Sequence, residues 1–163
     1  MSVGIAVELV NFQSLQRLLQ RLENIDESAL LLPIAAIGEM QTRRRIEEEK
    51  TAPDGTKWPP NRAGTPTLLQ TGEHLRDSIA HSVSGSEAEW GSSWKYAHVH
   101  QEGMTIKPAN GNALKFWFVN SGFTEFVIAK QVTIPKREFV GISTENGEEI
   151  EMIVVDYLGN LIP

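Results

Sequence analysis

The hydrophobic positions near the start of the chain recur every three or four residues, which is the spacing of an amphipathic helix. The positions that carry this pattern are Phe12, Leu15, Leu18, Leu19, Leu22 and Ile25. They place one apolar stripe along about four helical turns, for which Asn11 is a candidate N-cap. A second helix is predicted from Asp26 or Ser28 onward, with Pro33 in its early turns. Its apolar positions are Leu30, Ile34, Ile37 and Met40.

The end of the second helix carries a run of opposite charges. Arg43, Arg44 and Arg45 precede Glu47, Glu48 and Glu49 by four residues each. Residues four apart are neighbours on a helix surface, so this order predicts three ion pairs along the helix surface. The acids nearly cancel the field of the arginines, and we therefore expect a solvated helix face in preference to a nucleic-acid site.

Turn-forming residues dominate the next segment, from Thr51 to Pro66, which reads TAPDGTKWPPNRAGTP. Prolines and an Asp-Gly step end the helix and force turns. Trp58 lies in the middle of this loop. We expect it to pack beneath the loop, and the alternative is that it waits for a partner protein.

Helical spacing returns at Leu68, Leu75 and Ile79, with Thr71 as a candidate cap. The alternation that follows predicts two strands joined by a tight turn near residues 84–86. A brief helix is then expected from Tyr96 to Gln101, ended by Gly103.

Two segments rich in β-branched and aromatic residues, Leu114 to Val119 and Phe126 to Val132, predict a hairpin. A last helix, capped by Ser143 or Thr144, is expected to turn one apolar face inward at Ile150, Ile153, Val154 and Leu158. Helices that flank a run of strands indicate an α+β fold, with an antiparallel sheet and hairpin packed by N-terminal helices and a short C-terminal helix. We predict a single domain over residues 1–163, helical in residues 1–50 and mainly β in residues 78–142.

Composition excludes several classes of protein. The chain has no cysteine, which removes thiol nucleophiles, thiolate metal sites and disulfides. It carries 15 Lys and Arg against 21 Asp and Glu, and this net charge of -6 disfavours sequence-specific DNA binding. The first residues lack a basic region and no apolar stretch approaches a membrane span, so neither an export signal nor a membrane anchor is expected.

The residues best placed for chemistry are His98, His100 and Glu102. On a strand all three would share one face and could bind a metal, which would suit a metal-dependent hydrolase. On a helix, residues two apart diverge by about 200 degrees, and a short helix is the favoured prediction here. Phosphate-binding loops, nucleophile elbows and HExxH motifs are missing from the sequence. We therefore expect a protein that is not an enzyme, with no catalytic residue, cofactor or metal.

The order of local motifs resembles a known family. The motifs are APDGTKWPP from Ala52, LLQTGEHLRDSI from Leu68, WGSSWKYAHVHQEG from Trp90 and IPKREFVGIS from Ile134. This succession resembles the phage virion morphogenesis family, the tail-completion proteins of P2-like and Mu-like tailed phages.

The resemblance implies a structural protein of a phage or prophage that acts in tail completion and head-tail joining, in the host cytoplasm during assembly and afterwards in the particle. It implies a ring of identical subunits, such as a hexamer, that contacts tail tube, tail terminator or neck proteins and lets DNA pass. A head-side connector is the alternative within structural proteins. The interface candidates are Trp58, Trp94, Tyr96, Trp117, Arg137 and Phe139.

Overall fold

A computed structural model of the protein describes residues 12–62, 64–69, 73–120 and 123–161. Its helices are α1 (Phe12–Glu23), α2 (Glu27–Arg44), a π-helical turn (Arg45–Glu49), α3 (Glu73–Asp77), α4 (Ala97–Glu102) and α5 (Thr144–Gly159). Its strands are β1 (Ile79–Ser84), β2 (Glu87–Ser92), β3 (Met104–Ile106), β4 (Leu114–Asn120), β5 (Phe123–Ala129) and β6 (Val132–Ile134). Helices combined with antiparallel strands confirm the predicted α+β class. Among the helices of the described residues, none has both the length and the apolar content that crossing a membrane requires.

The two N-terminal helices form where the apolar spacing predicts them. Asp26 caps α2, and its side chain accepts a hydrogen bond from the backbone N–H of Ala29 at 3.1 Å. This bond satisfies one of the amide groups that a helix start leaves free. Pro33 lies inside α2. The predicted cap of α1, Asn11, lies outside the described residues.

Helix α2 does not end as an α-helix. It continues into the π-helical turn Arg45–Glu49, whose last carbonyls are closed by Lys50 in a left-handed conformation with φ 55°. The backbone N–H of Lys50 donates to the carbonyl of Arg45 at 3.0 Å. A π turn holds one more residue than an α turn, so it rotates the side chains that follow relative to those before it.

The strands of the described residues pair into two-stranded antiparallel sheets, β1 with β2, β3 with β6, and β4 with β5. The tight turn of the first sheet falls at Gly85 and Ser86, as predicted. The pairing of β3 with β6 was not predicted. Its register sets Met104 opposite Ile134, and Pro135 follows directly, so the residue that lacks an N–H stands just outside the ladder.

The β1–β2 sheet packs against α2. Gly38 is the residue of α2 that permits this approach, because a Cβ at that position would overlap the six-membered ring of Trp90. The close contact between helix backbone and indole ring therefore requires glycine.

The third helical segment is shorter than the spacing of its apolar residues predicted. Leu68 precedes it with φ 60°, α3 spans only Glu73–Asp77, and Ile79 belongs to β1. The proposed cap, Thr71, lies outside the described residues. Ile79 is buried and pairs with Ser92. The residue that the apolar spacing predicted to be helical therefore belongs to a strand.

One cluster of buried residues forms the core beneath the loop that follows α2. Its members are Ile46, Trp58, Leu68, Leu75, Ile79, Ala97 and Phe139. They come from the π turn, the connection between the π turn and α3, α3 itself, β1, α4 and the segment before α5. The core thus holds together parts of the chain far apart in sequence.

Candidate interaction surfaces

Arg45 is the centre of a buried hydrogen-bond network that joins α2 to α5. Its side chain is fully buried, and Nη1 donates to the carbonyls of Phe139 at 3.1 Å and Gly141 at 2.9 Å. Nη2 donates to the side-chain oxygen of Asn146, and Nε lies 3.7 Å from a carboxylate oxygen of Glu49. Burial lowers the pKa of this guanidinium, although an arginine stays charged in proteins. The network therefore compensates a buried positive charge.

The other end of the same network is the cap of α5. Asn146 accepts from Arg45 while its backbone N–H donates to Ser143 Oγ at 3.2 Å and its side-chain oxygen accepts from the Ser143 N–H. This is the capping box that begins α5, with Ser143 as the N-cap. At 16 residues the C-terminal helix is longer than the short one that was expected.

The charge pairs of Arg43 to Glu49 differ from the prediction. Arg43 bonds Glu39 at 2.9 Å, and Arg44 bonds Glu49 at 2.9 Å and Glu149 of α5 at 3.2 Å. Of the three predicted pairs, only Arg45 with Glu49 forms. The prediction of a solvated face was wrong for Arg45, because this residue follows the buried positions Gly38 and Thr42 at helical spacing and therefore lies on the buried face of α2.

Arg137 and Trp58 tie the loop after α2 to the segment before α5. The guanidinium of Arg137 donates to the carbonyls of Pro59 at 2.9 Å and Pro60 at 3.2 Å. The indole N–H of Trp58 donates to the carbonyl of Glu138 at 3.1 Å. Arg137, one of the interface candidates, is thus held by backbone carbonyls of its own chain. The prediction that Trp58 packs beneath its loop is confirmed, since it is 7% exposed.

Gln101 performs a similar role from α4. Its side-chain oxygen accepts from the N–H groups of Phe139 at 3.0 Å and Val140 at 3.1 Å, and its nitrogen donates to the carbonyl of Val140 at 2.9 Å. One amide side chain thus replaces a strand partner for this segment. Gln101 was not predicted from the sequence, because a glutamine in a six-residue helix gives no signal of such a role.

The histidines of α4 do not form a metal site. His98 is exposed, whereas His100 is half-buried with its ring stacked on Trp94 at a centroid distance of 6.0 Å. Burial, with a smaller contribution from the charge of Arg137, lowers the pKa of His100. In the part of the chain that the structure describes, no group of three histidine and carboxylate side chains is placed to hold a metal ion.

The six interface candidates fall into two groups. Trp58, Arg137 and Phe139 are buried, so contact with another protein would require the fold to open. Trp94 is half-buried and packs its ring against the edge of Tyr96 at 5.4 Å, and Tyr96 is 49% exposed. Trp117 is the most exposed of the six, at 68%.

Trp117 belongs to an apolar surface on the β4–β5 hairpin, which we call the hairpin face. The antiparallel register sets Trp117 opposite Phe126 and Lys115 opposite Ile128. Because residues two apart on a strand point the same way, these four side chains share one face. Phe126 is 47% and Ile128 62% exposed, and the rings of Trp117 and Phe126 lie 5.0 Å apart. Among the described helices and strands, none packs extensively against this hairpin.

A second exposed apolar surface lies on α5, on the side away from α2. Met152 and Val155 are 63% and 62% exposed, and Glu148 and Glu151 lie beside them in one shallow depression. We call these four residues the outer helix face. On the opposite side of α5, Glu149 accepts from Gln41 of α2 and Tyr157 donates to the carbonyl of Asp26. The sequence pattern identified the inner side of this helix but not the exposed one.

Comparison with known proteins identifies the family. Neither a search of curated proteins nor a search of solved structures found a match. The sequence profile of the phage virion morphogenesis family matches residues 10–159, nearly the whole chain. The matched span includes the buried Arg45 network, the proline carbonyls held by Arg137, the hairpin face and the outer helix face. The chain therefore belongs to the phage virion morphogenesis family, whose members are structural proteins of phage assembly.

Proposed function

We propose that the protein completes the phage tail and joins it to the filled head, as a ring of identical subunits at the tail end or neck. The observation that carries this proposal is the pairing of family membership with two separate exposed apolar surfaces on one chain. Exposed apolar patches on a folded protein mark sites of protein contact. The protein works by adhesion between neighbours and performs no catalysis.

The motif residues support a structural role. The polar groups of Trp58, Gln101 and Arg137 form hydrogen bonds with backbone atoms of the same chain. These side chains therefore stabilise the fold and hold no substrate. Among the described residues, the surfaces that we propose for partners are the hairpin face, the outer helix face and the Trp94–Tyr96 pair. Contacts between identical subunits would cover part of these surfaces. We propose that the remainder binds tail tube, tail terminator and neck proteins.

The negative net charge of the chain also suits a ring through which DNA passes. With a net charge of -6, the chain can line an opening without holding a polyanion through released counterions. We propose that DNA slides through the ring without sequence-specific contact.

Electron microscopy of particles assembled without this protein tests the proposal. We expect filled heads and separate tails of normal length, because assembly would stop at the joining step. Tails of uncontrolled length would contradict joining and indicate a terminator, and empty or unstable heads would indicate a head-side connector.

A complementation series makes the test specific to the exposed surfaces. Trp117→Ser removes the aromatic anchor of the hairpin face, whereas Leu32→Ser removes a similarly exposed apolar side chain from α2, where Leu32 is 55% exposed. We expect the Leu32 variant to restore joined particles and the Trp117 variant to fail. Equal rescue by both would remove the support that the hairpin face gives to the proposal.

A further inference from the structure

We propose that the hairpin face of one subunit docks on the outer helix face of the next, and that this head-to-tail contact is the interface that repeats around the ring. The inference rests on the proposed function for its ring. Beyond that function, it specifies which two surfaces meet, and it identifies the molecule that binds each surface as a second copy of this chain.

Both surfaces carry exposed apolar residues that can form the centre of an interface. The hairpin face offers two neighbouring aromatic rings, Trp117 and Phe126, flanked by Ile128. The outer helix face offers Met152 and Val155 in a depression bounded by carboxylates. Aromatic residues and methionine are enriched at interface centres, and a flexible methionine can adapt to the ring that enters beside it.

The charges around the two surfaces are opposite. Helix α5 holds Glu145, Glu148, Glu149, Glu151 and Asp156 and no basic residue. Residues 107–130, which contain the hairpin, carry Lys107, Lys115 and Lys130 against the single acid Glu125. Glu125 pairs with Phe118 and therefore points to the other face of the hairpin. Two copies of either surface would repel one another, whereas one of each attracts.

This segregation selects the symmetry of the contact. A twofold dimer uses the same patch on both subunits, which would bring like charges together. Two different patches on one chain give a heterologous contact, and such a contact generates a ring when its rotation closes. The hairpin is suited to reach the neighbour because none of the described helices and strands packs extensively against it.

Cross-linking between single-cysteine variants tests the contact directly. The chain has no cysteine, so Lys115→Cys and Glu151→Cys each introduce one thiol without background. One variant carries an affinity tag, so that the mixed dimer differs in size from either homodimer. The two variants are mixed, and a short bis-maleimide then cross-links thiols that lie close together. We expect the mixed dimer to dominate over either homodimer. Lys57→Cys, at another exposed lysine, replaces Lys115→Cys in the control mixture.

The double variant Lys115→Cys, Glu151→Cys extends the test to the ring. Head-to-tail contact should produce a ladder of covalent trimers and larger species that ends at the closed ring. A mixed dimer no more abundant than in the Lys57 control, or a preference for Lys115 homodimers, would overturn the inference.

A mixing experiment provides an independent readout. Trp117→Glu blocks the hairpin face and Val155→Glu blocks the outer helix face, and each should weaken self-association by about thirtyfold or more, as loss of a hot spot does. Because each variant keeps the surface that the other lacks, the mixture should form a one-to-one dimer and nothing larger. Two variants that stay monomeric when mixed, or a wild-type chain that is monomeric at about 100 μM, a concentration at which a micromolar contact would be nearly saturated, would overturn the inference.

Both substitutions are at exposed positions, and unchanged thermal unfolding would confirm that the variants fold. Failure of the inference is distinguishable from failure of the proposed function. Joining defects in particles that lack the protein, without the cross-link, would leave the function standing and reject this contact. The cross-link without a joining defect would retain the contact and reject the function.

Discussion

The guanidinium of Arg45 and the side-chain oxygen of Asn146 form a buried hydrogen bond between the end of one long helix and the start of another. Asn146 is at once the acceptor for this charge and a member of the capping box of α5. The direction in which α5 leaves the core is therefore coupled to the position of Arg45 at the end of α2.

Arg45→Met should destabilise the protein severely. The substitution retains most of the stem but leaves the carbonyls of Phe139 and Gly141 and the oxygen of Asn146 without their donor. We expect a loss of about 3–5 kcal/mol in the free energy of unfolding, measured by urea denaturation, as is usual when one partner of a buried charged network is removed. Arg17→Met, at an exposed position of α1, should change it by less than about 0.5 kcal/mol. A small effect at Arg45 would show that water replaces the guanidinium.

Gly38→Ala should separate α2 from the β1–β2 sheet. A methyl group there would overlap the ring of Trp90, and the strain of such overpacking is about 1–3 kcal/mol. Gly147→Ala is the matched control in α5, where the nearest atom to the new Cβ is Ile142 Cγ2 at 3.9 Å. We expect the control to be neutral or stabilising by up to about 1 kcal/mol, since alanine favours helix. Thermal unfolding of both variants measures the difference, and Trp90→Leu should partly rescue Gly38→Ala.

Arg137→Met should loosen the loop that contains Trp58. Two charge-assisted bonds to the carbonyls of Pro59 and Pro60 disappear, at a cost of about 2–3 kcal/mol. Lys136→Met changes the adjacent exposed side chain and should alter stability by less than about 0.5 kcal/mol.

A double-mutant cycle with Trp58→Phe tests whether Arg137 and Trp58 act together. Both side chains join the same two segments, so their effects should be non-additive by about 0.5 kcal/mol or more. Strict additivity would mean that the two ties are independent.

Stability should fall as the pH drops below about 6.5 because of His100. Its folded-state pKa is depressed, first by burial and then by Arg137, so the unfolded chain binds more protons in this interval. The contribution is complete above the unfolded-state pKa and is lost as the pH falls toward the folded-state value. His100→Asn should flatten the dependence of the unfolding free energy on pH between 7 and 5.

The carboxylates act in a lower interval. A hydrogen bond with His81 lowers the pKa of Glu39, and a hydrogen bond from Gln41 lowers that of Glu149. Their contributions are present above the ordinary value of 4.5 and are lost below it, so a measurement kept above pH 5 separates the effect of His100 from that of these two carboxylates. A slope that survives His100→Asn would assign the effect to another group.

Local signals allowed much of the fold to be predicted. The spacing of apolar residues located α1, α2 and α5, and the caps Asp26 and Ser143 followed from their side-chain chemistry. Turn residues located the β1–β2 hairpin and the end of α4 at Gly103, which has φ 75°. These features depend on residues close to one another along the chain.

Features that depend on distant residues were missed. The acceptors of Arg45 lie 94 to 101 residues further along the chain, and no local pattern distinguishes this arginine from Arg43 or Arg44. Strands β3 and β6 have three residues each, too few for alternation to be visible. The exposure of the hairpin face was equally hidden, because a strand with apolar residues on both faces does not indicate which face is covered.

The π turn at Arg45–Glu49 amounts to one extra residue within what is otherwise a continuous helix. Deleting a single residue there would leave an ordinary α turn in place of the π turn, and the loop bearing Trp58 would leave the helix in nearly the same direction. Deleting a residue from α2 instead would turn Arg45 by about 100° relative to the helix before the deletion and separate it from its acceptors. Chain length is consequently constrained more tightly within α2 than in this short stretch, and relatives should differ by one residue at the π turn before they do so in the helix.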